Sequence, residues 1–189
     1  MKPQTFVVLV ASALVAQFAN IPAGRAEPPP GELFGKTVLL SWTEYRVQKA
    51  DAGDIRKSTT SSDFRVYIST AGRLFSRFSR ENSGSGRSNR SAQGPEGNTT
   101  TAGIGQGPRT THFERGQLVA ENAMRSGARR IQAEFDRSYR SCALKVIYGK
   151  QAGAPLYHRG MDGRMYTIIS TDIISPACSI KEGNLVGRE

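Results

Sequence analysis

From Arg130 to Lys150 apolar and polar residues alternate, pause over "DRSYRS", and alternate again from Cys142. Ile131, Ala133 and Phe135 fall on one side, and Arg130, Gln132, Glu134 and Asp136 on the other. A period of two is the mark of a half-buried strand, so this stretch predicts two strands and a turn. In the second strand Cys142, Leu144, Val146 and Tyr148 share a face. The same period appears in "KTVLLSWTEYRV", where Val38, Leu40 and Trp42 align, and in "DFRVYIS", where Phe64, Val66 and Ile68 align. "TAGR" supplies a turn, and a hairpin is predicted from Asp63 to Arg80. In its second arm, "RLFSRFSR", Leu74 and Phe78 share a face while Phe75 lies opposite, between Arg73 and Arg77.

"TTHFER" and "LVAENAM" predict a further hairpin, although Leu118, Ala120, Glu121 and Met124 are also good helix formers between Gly116 and Gly127. "RMYTIISTDIIS" reads as the last long strand, with apolar pairs on both faces, ended by Pro176; "CSIKEGN" adds a short final one. "QKADAGDIRKSTTSS" (48–62) reads as a polar connection. Residues 81–109, rich in Gly, Ser, Asn and Thr, have no hydrophobic period and read as a flexible loop within the domain. About eight strands joined by hairpins make this an all-β, antiparallel single domain, with a small barrel favoured over a two-sheet sandwich. A membrane barrel fits less well, because Arg73 and Arg77 flank Phe75 on one face.

The ends and the cysteines change this picture in one direction. Lys2, the apolar run "FVVLVASALVAQFA" and the small residues Gly24 and Ala26 form a secretory signal, cleaved between Ala26 and Glu27. Residues 1–26 are then the signal peptide, 27–35 a proline-rich lead-in, and 36–189 the β domain. No mature segment reads as a transmembrane helix. In an oxidising compartment, two cysteines far apart in sequence predict a Cys142–Cys178 disulfide, a staple and not a reactive centre.

The residues that carry a resemblance are "FGKTVLLSWTEYR", "VYISTAGRLFSR" and "GARRIQAEFDRSYRSCALKVIYGK" behind a signal peptide. In these the chain resembles small uncharacterised exported proteins of Gram-negative bacteria, over most of the mature chain outside the Gly/Ser/Thr-rich loop. The resemblance implies an envelope location, periplasmic or secreted, and brings no site residues with it.

Charge narrows the partner class. The formal charge is +10, and losing Lys2 and Arg25 with the signal leaves +8. Arg73, Arg77, Arg80, Arg87 and Arg90 lie close in sequence, interleaved with Phe75 and Phe78, and form a candidate anion contact. Outside the cytoplasm the polyanions at hand are acidic polysaccharide and anionic lipid headgroups, or an acidic envelope protein; nucleic acid does not fit the location. His112 and His158 have no clustered acid or HExxH spacing, and "GIGQG" lacks the Lys-Ser/Thr of a phosphate loop. No catalytic constellation, metal set or cofactor motif is legible. The expectation is a non-catalytic binding domain with a basic, arginine-rich surface. The alternative is a carrier of a small apolar ligand inside a barrel lined by Trp42, Phe64, Phe135 and Tyr148.

Overall fold

The computed structural model describes residues 26–82, 87–93, 99–102, 110–124, 127–148, 157–159 and 163–187; of these, 87–93, 99–102, 122–124, 127–129, 148 and 157–158 are described by backbone alone. The expected signal peptide, 1–26, lies outside the described residues apart from Ala26. After a single 3-10 turn (Gly31–Leu33), the strands are β1 (Lys36–Ala50), β2 (Ile55–Ile68), β3 (Leu74–Asn82), β4 (Arg87–Gln93), β5 (Thr99–Ala102), β6 (Thr110–Glu114), β7 (Gln117–Met124), β8 (Gly127–Phe135), β9 (Cys142–Tyr148), β10 (Tyr157–Arg159) and β11 (Met165–Glu182). All pairings are antiparallel. They build a seven-stranded sheet, β10-β11-β1-β2-β3-β4-β5, and a four-stranded sheet, β6-β7-β8-β9. No described helix is long and apolar enough to cross a membrane.

The predicted faces decide how the sheets meet. Val38, Leu40, Trp42, Phe64, Val66, Ile68 and Phe78 from the large sheet pack with Phe113, Leu118, Ala120, Ile131 and Ala133 from the small one in a single buried cluster. Phe78 touches both Trp42 and Phe64, at ring-centroid distances of 6.1 and 6.2 Å. No hydrogen-bonded ring closes among the described residues: β6 and β9, the margins of the small sheet, bond to no strand of the large one. Two packed sheets therefore fit this chain better than the small closed barrel expected from strand count. Where β9 approaches β11, the link is the Cys142–Cys178 disulfide, with Cα atoms 5.5 Å apart.

Three local expectations give way. Pro176 does not end the last strand. β1 pairs Ser41 with Ala177 and Thr43 with Ile174, so one extra residue of β11 is accommodated there as a bulge. Ser175 takes a positive φ of 52°, and Pro176, with no N–H to donate, sits in the bulge where none is needed. The stretch 48–62 is a connection only at residues 51–54; on either side β1 and β2 pair continuously from Lys49↔Ile55 to Lys36↔Ile68. Within 81–109, β4 and β5 extend the sheet beyond β3, because backbone pairing needs no apolar side chain. The β6–β7 hairpin forms as strands and not a helix. Its turn is Arg115–Gly116, both at positive φ (53° and 72°), which matches the twist of a tight hairpin.

Candidate functional site

Strand alternation divides the arginines that are near one another in sequence. On β3, Ser76 and Phe78 point inward and are buried, so Arg77 points outward with Phe75. Arg73, just before β3, is exposed, as is Arg77, and neither forms an ion pair among the described residues. Arg77 stands directly opposite Arg65 of β2, and Phe75 opposite Tyr67, with those rings 6.2 Å apart. The outer face of β2–β3 thus carries an aromatic pair between Arg73 at one end and the Arg65–Arg77 pair at the other. Arg65 donates to Asp63 at 2.7 Å and, at 3.4 Å, to the carbonyl of Leu185 in the C-terminal tail. Arg80 does not belong to this surface. It lies an odd number of residues from Arg77, on the inner face, where it binds Glu44. The backbones of Arg87 and Arg90 lie in β4, paired with Asn82 and Ser79.

The inner face holds what sequence reading missed. Below this level β1, β2 and β3 present Leu40, Phe64 and Phe78 in one row. One row further on stand Trp42, Ser62 and Arg80, and the next row holds Glu44, Thr60 and Asn82. β2 and β3 turn from apolar to polar at the level of Trp42, and β1 one row later, at Glu44. Glu44 is 1% exposed. Its Oε2 accepts a 2.7 Å bond from Arg80 Nη2 and lies 3.5 Å from Arg46 Nη2; its Oε1 accepts from Trp42 Nε1 at 3.2 Å. Asn82 Nδ2 donates to Thr60 Oγ1 at 3.2 Å. A buried carboxylate held by two guanidinium groups and an indole N–H satisfies the usual condition for burying charge. The signal for it was in the sequence: in "SWTEYRVQ" Glu44, Arg46 and Gln48 continue the period of Val38, Leu40 and Trp42, although Gln48 reads as part of the polar connection.

A second ion cluster decorates the outer face of the small sheet. Arg130 of β8 donates to Glu114 of β6 at 2.7 Å and to Glu121 of β7 at 2.8 Å. The hydrogen bond from Arg130 holds the Glu114 carboxyl below the ordinary glutamate range, against a partly opposing desolvation. His112 Nε2 lies 3.9 Å from Glu114 Oε2. Asp136, in the turn between β8 and β9, is lowered as well, first by the backbone N–H of Arg140, which it accepts at 2.8 Å. Among the described residues no group of three or more His, Cys, Asp and Glu side chains is placed to hold a metal.

The residues named for an apolar carrier take other parts. Trp42 and Phe64 pack in the shared core around Phe78, and Phe135 stacks on Phe113 and touches Tyr139. The side chain of Tyr148 lies outside the described residues. Searches against protein-family models, curated proteins and solved structures find nothing that matches this chain.

Proposed function

We propose that the protein is an exported, non-catalytic binding domain, periplasmic or secreted, that docks on a polyanionic surface of the cell envelope through the outer face of β2–β3. The observation that carries this reading is the Arg65–Arg77 pair. Arg65 is already paired with Asp63, whereas Arg77 directly opposite has no ion-pair partner among the described residues, so an anion bound at Arg77 offsets the like charge beside it. Half-buried Phe75, packed on the buried Tyr67, and exposed Arg73 lengthen the patch. Acidic polysaccharide and anionic lipid headgroups both offer the spaced anions such a patch takes. Export is supported by the cleavage pattern; Glu27, the first residue after it, donates from N to Phe113 O at 2.8 Å, and its carboxylate accepts from Gly116 N at 3.3 Å. The mature end would thus be fixed against β6. The open two-sheet body, stapled by the disulfide, suits a scaffold that presents a face.

The test is binding of the mature protein to dextran sulfate and to phosphatidylglycerol vesicles across a salt series. Binding should weaken steadily with salt. Replacing Arg73 and Arg77 by Gln should reduce affinity about fivefold for each charge removed. Salt-independent binding, or equal binding by the double variant, would overturn the reading.

A further inference from the structure

We propose that the β1–β2–β11 half of the large sheet's outer face is a membrane contact, which sets Ile55, Ile169 and Ile174 into an anionic bilayer and Lys49 and Lys57 against its lipid phosphates. This rests on the reading of the outer face as a polyanion surface, and it selects the bilayer over polysaccharide as the partner.

Alternation fixes the face. On β2, Ile55 and Lys57 lie an even number of residues from Arg65, so all three point to the same side. Lys49 of β1 stands opposite Ile55, and Val47 opposite Lys57. On β11, Ile174 pairs with Thr43, which follows the buried Trp42 and so faces outward. Ile169 is the extra residue where the pairing steps from Val47↔Ser170 to Gln48↔Ile168. Gln48 is buried on the inner face with Ile168 beside it, and the bulge turns Ile169 outward. The strands that carry Ile55 and Ile169 flank β1, about 10 Å apart.

Exposure and charge together identify the partner. Ile55, Ile169 and Ile174 are 55%, 52% and 46% exposed, the three most exposed large apolar residues among those described. One exposed isoleucine is ordinary on a protein surface. Three on one face, with half-buried Tyr45 and Val47 between them, make an apolar patch that water does not favour. Lys49 and Lys57 stand exposed within it. The acids of this face are Asp63, held by Arg65, with Asp172 and Glu81. Of the two acids in the turn before Ile55, Asp51 and Asp54, the second is met by Arg164 at 3.5 Å. A bilayer interface takes both kinds of group at once: apolar side chains pass below the headgroups, and lysine stems carry their ammonium groups up to the phosphates. Polysaccharide offers the isoleucines no apolar medium. A second copy docking through the same face about a two-fold axis would bring like charges together.

Co-sedimentation of the full mature chain tests this, with phosphatidylcholine vesicles, mixed phosphatidylcholine–phosphatidylglycerol vesicles and immobilised dextran sulfate as probes. Binding should require phosphatidylglycerol. Ile55→Thr and Ile169→Thr keep a β-branched side chain at exposed positions. Each should weaken binding to the mixed vesicles about tenfold and leave binding to dextran sulfate unchanged. Lys57→Gln should weaken vesicle binding about fivefold. In Ile55→Trp the introduced indole should be quenched by brominated acyl chains, while the buried Trp42 is not. Equal binding to pure phosphatidylcholine would overturn the proposal. So would undiminished vesicle binding by both isoleucine variants, or an introduced indole beyond reach of the bromines; salt-sensitive binding to dextran sulfate would then still uphold the polyanion reading. Loss of binding to vesicles and dextran sulfate alike would overturn both. A parent dimer that the isoleucine variants split, with no vesicle binding, would assign the face to a second copy and overturn the membrane contact.

Discussion

Arg80, on β3, bonds to Glu44, on β1, although β2 lies between the two strands. The guanidinium therefore reaches across two interstrand spacings, close to 10 Å of sheet. Side chains flanking its path on β2 are the small Ser62 and Thr60, which leave room for it. This bond ties the first three strands together on the face where the apolar core gives out.

Removing Glu44 should be among the most damaging single changes in the protein. Glu44→Ala strands two largely buried guanidinium groups and an indole N–H that Glu44 now accepts from. Breaking one partner of a buried ion pair costs about 3–5 kcal/mol. A paired change, Glu44→Met with Arg80→Met, should recover part of that loss, since only Arg46, the more distant of the two guanidinium groups, is then left without its carboxylate. Urea denaturation of the two singles and the double gives the coupling directly; additive losses would show that the two residues act independently.

Much of the fold was legible because period-two patterning needs only a buried face. Val38, Leu40, Trp42, Phe64, Val66, Ile68, Ile131 and Ala133 are all buried on the side their alternation assigns. The arginines were not legible as a group. Arg77 and Arg80 differ by three positions, and in a strand an odd separation puts them on opposite faces. Composition saw one basic cluster where geometry makes an outer patch and an inner ion pair. β4 and β5 escaped because an added strand can be held by backbone bonds alone, and Pro176 misled because a bulge removes the need for its missing donor.

The disulfide should matter to stability more than to the shape of either sheet. Cys142 and Cys178 are separated by 36 positions, and β9 and β11 share no backbone pairing. Closing such a loop restricts the unfolded chain by about 3–4 kcal/mol. Cys142→Ser with Cys178→Ser should lower the urea midpoint accordingly, while far-ultraviolet circular dichroism stays that of a β protein. An unchanged midpoint would mean that the crosslink does not form in the purified protein.

Acid should weaken the small sheet through Glu114. Its folded pKa is lowered by Arg130, so the stabilisation is complete above the unfolded value, about 4.3, and is lost as pH falls through the lower folded value. Asp136, also lowered, contributes a loss of the same sign. Arg130→Met should therefore flatten, without abolishing, the decline in unfolding free energy below about pH 4.5. A decline as steep as in the parent would place the acid sensitivity elsewhere.

Thr37 fixes the C-terminal tail to the sheet. It is fully buried, its Oγ1 donates to Gly183 O at 2.6 Å, and the same oxygen accepts from Leu185 N at 3.1 Å. The tail then passes the outer arginines: Leu185 O accepts from Arg65, and a Cβ placed on Gly187 would come within 2.9 Å of Arg77 Nη2. Thr37→Val keeps the shape and β propensity of the side chain but removes both bonds, leaving a carbonyl and an amide without a partner. The loss should be about 1–3 kcal/mol. Hydrogen exchange should localise it: the Leu185 amide should exchange faster in the variant, while amides of the β7–β8 ladder slow to exchange in the parent stay slow. If Leu185 kept its protection, the threonine hydroxyl would not be what holds the tail.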